Sequence, residues 1–261
     1  MSESVRISTD ARGVACVTLN RPTVHNAFND AVIARLTEIF RDLGADRSVR
    51  LVQLRGAGAS FSAGADLSWM QRMAGFGREE NREDALALAT MLRTLNEMPK
   101  PTLAVVQGPA LAGGCGLVAA CDIAIAAETA LFGLTEVRLG LIPATIGPYV
   151  AAAIGPRACR RYFLTGERFD AAEAHRLGLV QALVPPDRLE QTAAVLTDSL
   201  LAGGPRAQAA AKALIAAIAF RPMDDALVAD TAERIADARA SAEGREGIAS
   251  FLERRRPSWQ L

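Results

Sequence analysis

The stretch from Thr102 to Glu136, TLAVVQGPALAGGCGLVAACDIAIAAETALFGLTE, restricts the fold of this chain more than any other. It opens on an apolar, β-branched run, Thr102–Val106, which reads as a buried strand. A Gly- and Pro-containing loop, Gln107–Gly113, leads into a short helix over roughly Gly113–Cys121. The first turn of that helix, with Gly113, Gly114 and Gly116, is nearly bare backbone. N–H groups at a helix start lack intrahelical acceptors and carry the positive end of the dipole. Such a turn can meet negative charge developing on a substrate oxygen. After a second apolar run Glu136 stands alone among Phe132, Leu134 and Val137. A buried carboxyl without a partner has a raised pKa and can trade protons near neutrality, as a general acid/base must. A surface ion pair with Arg138, or a helix cap, is the competing reading. The pattern places one substrate between the helix start and the carboxylate.

The preceding residues alternate strand and helix signals. Val14–Leu19 reads as a strand in a hairpin with Val5–Ser8, ended by Arg21-Pro22. Asn29–Asp42 has Val32, Ile33, Leu36, Ile39 and Phe40 on one face of a helix, with Leu43 just beyond. Leu51–Leu54 is a buried strand, followed by the loop GAGASFSAGADLSWM with a helix starting near Asp66. Glu79–Met98 is a second long helix, stopped by Pro99 and Pro101. This order predicts α/β structure with parallel pairing. After Glu136, RLGLIPATIGPY reads as a loop. Tyr149–Ile154, Arg157–Leu164 and Ala171–Arg176 read as short helices, and Leu179–Val184 as a short strand. From Asp187 onward only helices are expected: Asp187–Leu201, Arg206–Ala219, Met223–Ala240 and Arg245–Arg254, punctuated by Pro205, Pro222 and Gly244.

The loop Ser60–Trp69 follows a buried strand, and so sits at the carboxyl edge of the sheet, where open α/β sheets bind ligands. The Ala65 N–H, next to Gly64, could point into a cleft; a simple glycine turn with Asp66 as a cap is the plainer reading. Two glycine loops at one edge could aim two N–H groups at one oxygen. Gly114–Ala119 also fits a dinucleotide fingerprint, GxGxxA, with Glu136 at the expected distance. The intervening loop and the mid-chain position weaken that rival. His25 and His175 stand beside no motif nucleophile, and GxSxG is absent, which argues against a Ser-His-Asp hydrolase. No spacing predicts a metal site. Trp69, Met70 and Met73 at helical spacing are core residues or the wall of an apolar pocket.

Composition excludes little but does so cleanly. Lys plus Arg and Asp plus Glu both number 29, so no global charge favours nucleic acid or an anionic membrane. The four cysteines show no CxxC spacing and read as reduced core residues. The start MSESVRISTD lacks an apolar signal core, and no run reaches membrane-span length. The expectation is a cytoplasmic protein with neither nucleic-acid nor membrane partners.

The series RPTVHNAF, FSAGADL, PKPTLAVVQGPALAGGCG, CDIAIA, FGLTEVRLGLIP and YFLTGERFDAAEAHRLGLV, in that order, resembles the crotonase (enoyl-CoA hydratase/isomerase) superfamily over nearly the whole chain. The resemblance implies an α/β fold, a crotonase-like spiral of β-β-α units over residues 1–186. Residues 187–261 would form a C-terminal helical region used in trimer assembly, with trimers pairing into hexamers. It implies an acyl-CoA thioester substrate, with coenzyme A as part of the substrate and no separate cofactor. By position, Ala65 and Gly113 match the two oxyanion-hole residues and Glu136 the second of two hydratase glutamates. Ala63, Ala65, Asp66, Leu67 and Ser68, with Gly113 and Gly116, match the substrate- and CoA-lining segments. Trp69, Met73, Phe132, Ile142 and Pro143 would wall the acyl pocket. Phe251 and Arg254 or Arg255 would approach CoA. The first hydratase glutamate falls on Gly116, which leaves one carboxylate and implies space for a second water or a branched acyl group. In this the chain is similar to a bacterial subgroup of methylglutaconyl-CoA- and carboxygeranoyl-CoA-type hydratases of leucine or isoprenoid breakdown.

Overall fold

The computed structural model describes residues 3–260. Strand β1 (Val5–Thr9) pairs antiparallel with β2 (Val14–Leu19), which confirms the hairpin. From β2 the sheet continues in parallel through β3 (Leu51–Gly56), β4 (Thr102–Val106), β6 (Ile123–Ala127) and β9 (Ala182–Val184), in that spatial order. All five residues of β4 are buried, as a strand covered on both faces requires. Parallel pairing brings the chain exits after Leu19, Gly56 and Val106 to one edge of the sheet.

Helix α1 (Asp30–Ala45) is capped by the Asn29 side chain and buries the expected stripe from Val32 to Leu43. After α2 (Leu67–Met73), α3 (Arg78–Asn96) buries Met91, Leu92 and Leu95 and packs on α1. Helix α4 (Gly113–Ala120) lies almost wholly in the core.

Two local expectations, at Gln107–Gly113 and at Gly244, are corrected. The loop Gln107–Gly113 contains a strand, β5 (Ala110–Leu111), which pairs with β7 (Leu131–Gly133); β8 (Arg168–Asp170) completes this second, three-stranded sheet. The two short helices expected after the Pro-rich loop are present as the two halves of α5 (Gly147–Thr165), separated by a non-helical break at Gly155, where φ is +76°. Gly244 does not interrupt the last helices: it sits in the first turn of α10 (Ala242–Leu252), its N–H bonded to the capping Ser241 hydroxyl. The remaining helices are α6 (Ala171–Leu177), α7 (Leu189–Ala202), α8 (Pro205–Ile218) and α9 (Asp225–Ala240).

The chain divides into two compact units. The first takes in the residues up to Met98 with Thr102–Ala194; the second takes Pro99–Pro101 with the residues from Val195 on, so the boundary falls inside α7. Both sheets lie in the first unit. In the second, Glu243 accepts hydrogen bonds from the Arg206 and Ala207 amides at the start of α8. Among the described residues no helix is long and apolar enough to cross a membrane.

Candidate active site

The turn RPTVHNAF is the frame of the first glycine loop. His25 and Asn26 both adopt the left-handed conformation, φ 53° and 55°, which asparagine and histidine tolerate better than most residues. The bend sends the Asn26 side chain inward. Its Oδ1 accepts from the Arg21 amide, and its Nδ2 donates to the carbonyls of Ala57 and Ser60. Arg21 donates to the Ala27 carbonyl and, at 2.7 Å, to the Asp66 carboxylate. His25 Nδ1 lies 3.0 Å from the Ser60 hydroxyl, so the histidine serves the frame. The Ser62 hydroxyl donates to the Asn26 carbonyl and accepts from the Gly64 amide.

Phe28 then bridges the loop. Its N–H donates to Gly64 O at 2.8 Å, and its carbonyl accepts from the Asp66 amide at 3.0 Å. This parallel bridge uses the groups on either side of Ala65. The Ala65 N–H itself has no acceptor among the described residues.

The second loop is stitched to the first and to the run before Glu136. Ser62 forms a bridge with Ala110, donating to Pro109 O and accepting from the Leu111 amide. Ala110 in turn pairs with Phe132, and Leu111 with Gly133. Ala112 then takes φ 48°, ψ −120°, a region that costs a non-glycine residue of order 1–3 kcal/mol. A 2.7 Å hydrogen bond from its amide to Gly133 O holds it there. The strained turn presents the Gly113 N–H at the start of α4, where it too lacks an acceptor among the described residues. The two loops touch: a Cβ placed on Gly64 (φ +86°) would lie 2.9 Å from Leu111 O and 3.4 Å from the Gly113 nitrogen. Glycine at 113 is a packing requirement, since a Cβ there would come within 2.4 Å of the Phe28 ring. Gly114 is packed as tightly on the Ser62 carbonyl.

Glu136 opens a short 3-10 turn, Glu136–Leu139, three residues after Gly133. Its Oε2 is buried with no hydrogen-bond partner. Burial raises its pKa, and a hydrogen bond from its own backbone amide opposes the shift. The thiol of Cys115, in the first turn of α4, is pushed up mainly by its own burial and next by the charge of Glu136. The carboxylate therefore acts electrostatically on the turn that carries the Gly113 amide. An acid with one unpartnered oxygen, together with two amides that lack acceptors, can polarise a carbonyl and move a proton at an adjacent carbon.

The other residues singled out in the sequence have mixed placements. Asp66 caps α2 and pairs with Arg21. The Ser68 hydroxyl first, and Arg21 with it, lower its pKa to about 2 against the effect of burial. The Ala63 amide is bonded to His25 O, which fixes this lining segment. Leu67 is 76% exposed. Trp69 is buried and donates from Nε1 to Asp84, while Met73 packs partly buried against the core. Phe132 is buried and stacks on Phe169 with ring centroids 5.9 Å apart. Pro143 is buried, but Ile142 is 75% exposed. In the second unit, Phe251 is exposed and Arg255 is held by Glu246 and Glu253, whereas Arg254 is exposed with φ 55°.

Gly116 departs most from expectation. The space above it is occupied. A Cβ there would sit 2.2 Å from Ile146 Cγ2 and 2.7 Å from Ile146 Cβ, and Ile146 is 2% exposed. The room expected for a second water or an acyl branch is filled by this side chain. The frame residues Asn26 and Ser62 and the strained Ala112 escape sequence reasoning. Only the Arg-Pro…His-Asn turn carries a signal that could have marked one of them.

Two glycine loops meeting at one sheet edge and a half-buried acid accompany a match to a known family model over nearly the whole chain. Residues 9–261 fit the model described as enoyl-CoA hydratase/isomerase. The chain belongs to the enoyl-CoA hydratase/isomerase family. The structure of an enoyl-CoA hydratase from Shewanella pealeana superposes with a TM-score of 0.95 at 40% identity, covering 98% of this chain and 96% of the other. Pseudomonas aeruginosa AtuE superposes at 0.94 with 39% identity over 99% of this chain and all of the other (100%). A short-chain-enoyl-CoA hydratase of Clostridium acetobutylicum is 32% identical over 245 residues, 93% of this chain and 92% of the relative. The chain is thus an enzyme of the enoyl-CoA hydratase/isomerase family with the crotonase fold, and the mixed α/β architecture expected from its residues is the family's own.

Proposed function

We propose that the protein hydrates the 2,3 double bond of an enoyl-CoA, with Glu136 as its one catalytic carboxylate and the Ala65 and Gly113 amides as the oxyanion hole. Glu136 takes a proton from water, and the water oxygen bonds to the β-carbon. The π electrons move toward the thioester, and the charge collects on the carbonyl oxygen between the two amides. The Glu136 carboxylic acid then returns its proton to the α-carbon. One water is added and the Glu136 carboxylate is regenerated. The observation that carries this reading is the buried, unpartnered Glu136 Oε2 beside a helix start whose first amide has no acceptor among the described residues.

The acyl group, on the resemblance, is compact and branched or carboxylated, of the methylglutaconyl- or carboxygeranoyl-CoA type. The backbone from Ala63 to Ser68 would line the CoA. The assembly would be a trimer or hexamer in the cytoplasm. Coenzyme A arrives with the substrate, so no further cofactor is required.

Isomerisation, moving the double bond between the 2 and 3 positions, is the alternative that a single base also permits. A panel of branched, carboxylated and linear enoyl-CoAs, followed by mass spectrometry, separates the two. Hydration raises the product mass by one water. In deuterated water, a product that gains no water but carries deuterium at C2 or C4 identifies an isomerase and overturns the hydratase reading.

A further inference from the structure

Ile146 stands at a divide. It precedes α5 and sends its side chain inward onto Gly116, one turn along α4 from the Gly113 amide. Its neighbours Thr145, Pro148 and Tyr149 line a groove of about 400 Å³ whose opposite wall is α3, with Leu86, Ala89 and Thr90. The groove is mainly apolar in its lining. It belongs to the same compact unit as the candidate site. Residue 146 thus sits in the chain between residues that line the groove, while its own side chain meets the Gly116 turn of α4.

We propose that Ile146 is a specificity-determining plug: it closes the acyl end of the site against the α3 groove and restricts the enzyme to compact acyl groups. This rests on the hydratase reading for its substrate and on the packing at Gly116 for its geometry. The Ile146 atom nearest Gly116 is Cγ2, with Cβ next. Truncation to alanine removes Cγ2, which on this proposal opens a passage, while the Ile146 carbonyl keeps its bonds from the Tyr149 and Val150 amides. Once open, the passage offers apolar wall to a linear chain that continues past the β-carbon. One methylene in an apolar pocket is worth about 10–200-fold in discrimination.

The test compares I146A and the milder I146V with the parent on trans-2-enoyl-CoAs of increasing linear chain length. The ratio of kcat/KM for the ten-carbon to the four-carbon substrate is expected to rise at least ~10-fold in I146A. I146V should shift in the same direction by less, with four-carbon turnover kept within several-fold. Adding Ala89→Trp to I146A refills the groove and should bring the ratio back. A folded I146A with the parent's ratio overturns the plug, as does a raised ratio that Ala89→Trp leaves untouched. If I146A does not fold, I146V alone decides: an unchanged ratio overturns the proposal. The same comparison is made by calorimetry with saturated butanoyl- and decanoyl-CoA, which needs no turnover. A chain-length shift in binding without any hydration by the parent contradicts the hydratase reading and leaves the plug standing.

Discussion

Replacing Gly113 by alanine puts the oxyanion reading under direct strain. The added methyl would lie 2.4 Å from Phe28 Cζ and 3.0 Å from Cε2. Comfortable carbon contacts are about 3.5–4.0 Å, so the gap is short by roughly 1 Å. The Phe28 ring is buried in the core, and its backbone is fixed on both sides by the bridge to the Ala65 segment. The start of α4 must therefore recoil and carry the Gly113 N–H with it. Overpacking of this kind costs about 1–3 kcal/mol of stability. Losing one oxyanion donor costs about 10²–10³ in kcat. The interaction strengthens as charge reaches the oxygen, so the loss should fall on kcat with little change in KM. Steady-state kinetics on the best enoyl-CoA from the panel, beside a thermal melt, reads both effects. Phe28→Leu removes the ring carbon that clashes, so the double variant should recover part of the lost turnover. A G113A enzyme that melts lower yet keeps the parental kcat would refute the assignment of this amide.

Other expectations follow from the same geometry. Glu136→Gln should lower turnover about 10²–10⁴-fold. It should also stabilise the fold at neutral and alkaline pH. Burial raises the folded-state pKa of Glu136, so the parent loses stability as pH rises through that value, and the neutral amide does not; melts at pH 8 and below pH ~4 should differ and converge respectively. In the parent, the acid limb of kcat/KM should lie above the ordinary carboxyl range, because the base must ionise. Asn26→Ala leaves the Ala57 carbonyl and the Arg21 amide without their partner and puts alanine at φ 55°, while the Ser60 carbonyl keeps Gln107. Equilibrium urea unfolding should show a loss of about 2–4 kcal/mol. Asp66→Asn should destabilise the protein above pH ~4 and lose its effect as pH falls toward 2, because the depressed folded pKa gives stability only while the group is ionised. Melts across that range read it.

The strands and helices that position the site were largely legible. Apolar runs such as Thr102–Val106 and the stripe from Val32 to Leu43 state their own burial. Ala65 and Gly113 were found because each follows a buried strand with a glycine beside it, and Glu136 because charged residues rarely stand alone among Phe, Leu and Val. The two-residue strand Ala110–Leu111 was missed because its pairing with Leu131–Gly133 is non-local and leaves no period to detect. The helix break at Gly155 was legible because glycine followed by proline usually ends a helix. The contact of Ile146 with Gly116 was missed for a different reason. Glycine at 116 suggests space, and only the tertiary packing reveals that another side chain has taken it. Ala112 likewise has no sequence mark, since its strain is imposed by the Gly133 carbonyl and the helix that follows.

The most direct measurement is a crystal structure with a non-reactive acyl-CoA thioester bound. The account predicts the thioester oxygen about 2.7–3.1 Å from both the Ala65 and Gly113 nitrogens, with a Glu136 oxygen facing the α- and β-carbons. A thioester oxygen that meets neither amide, or a Glu136 carboxylate turned away from the acyl group, would contradict it.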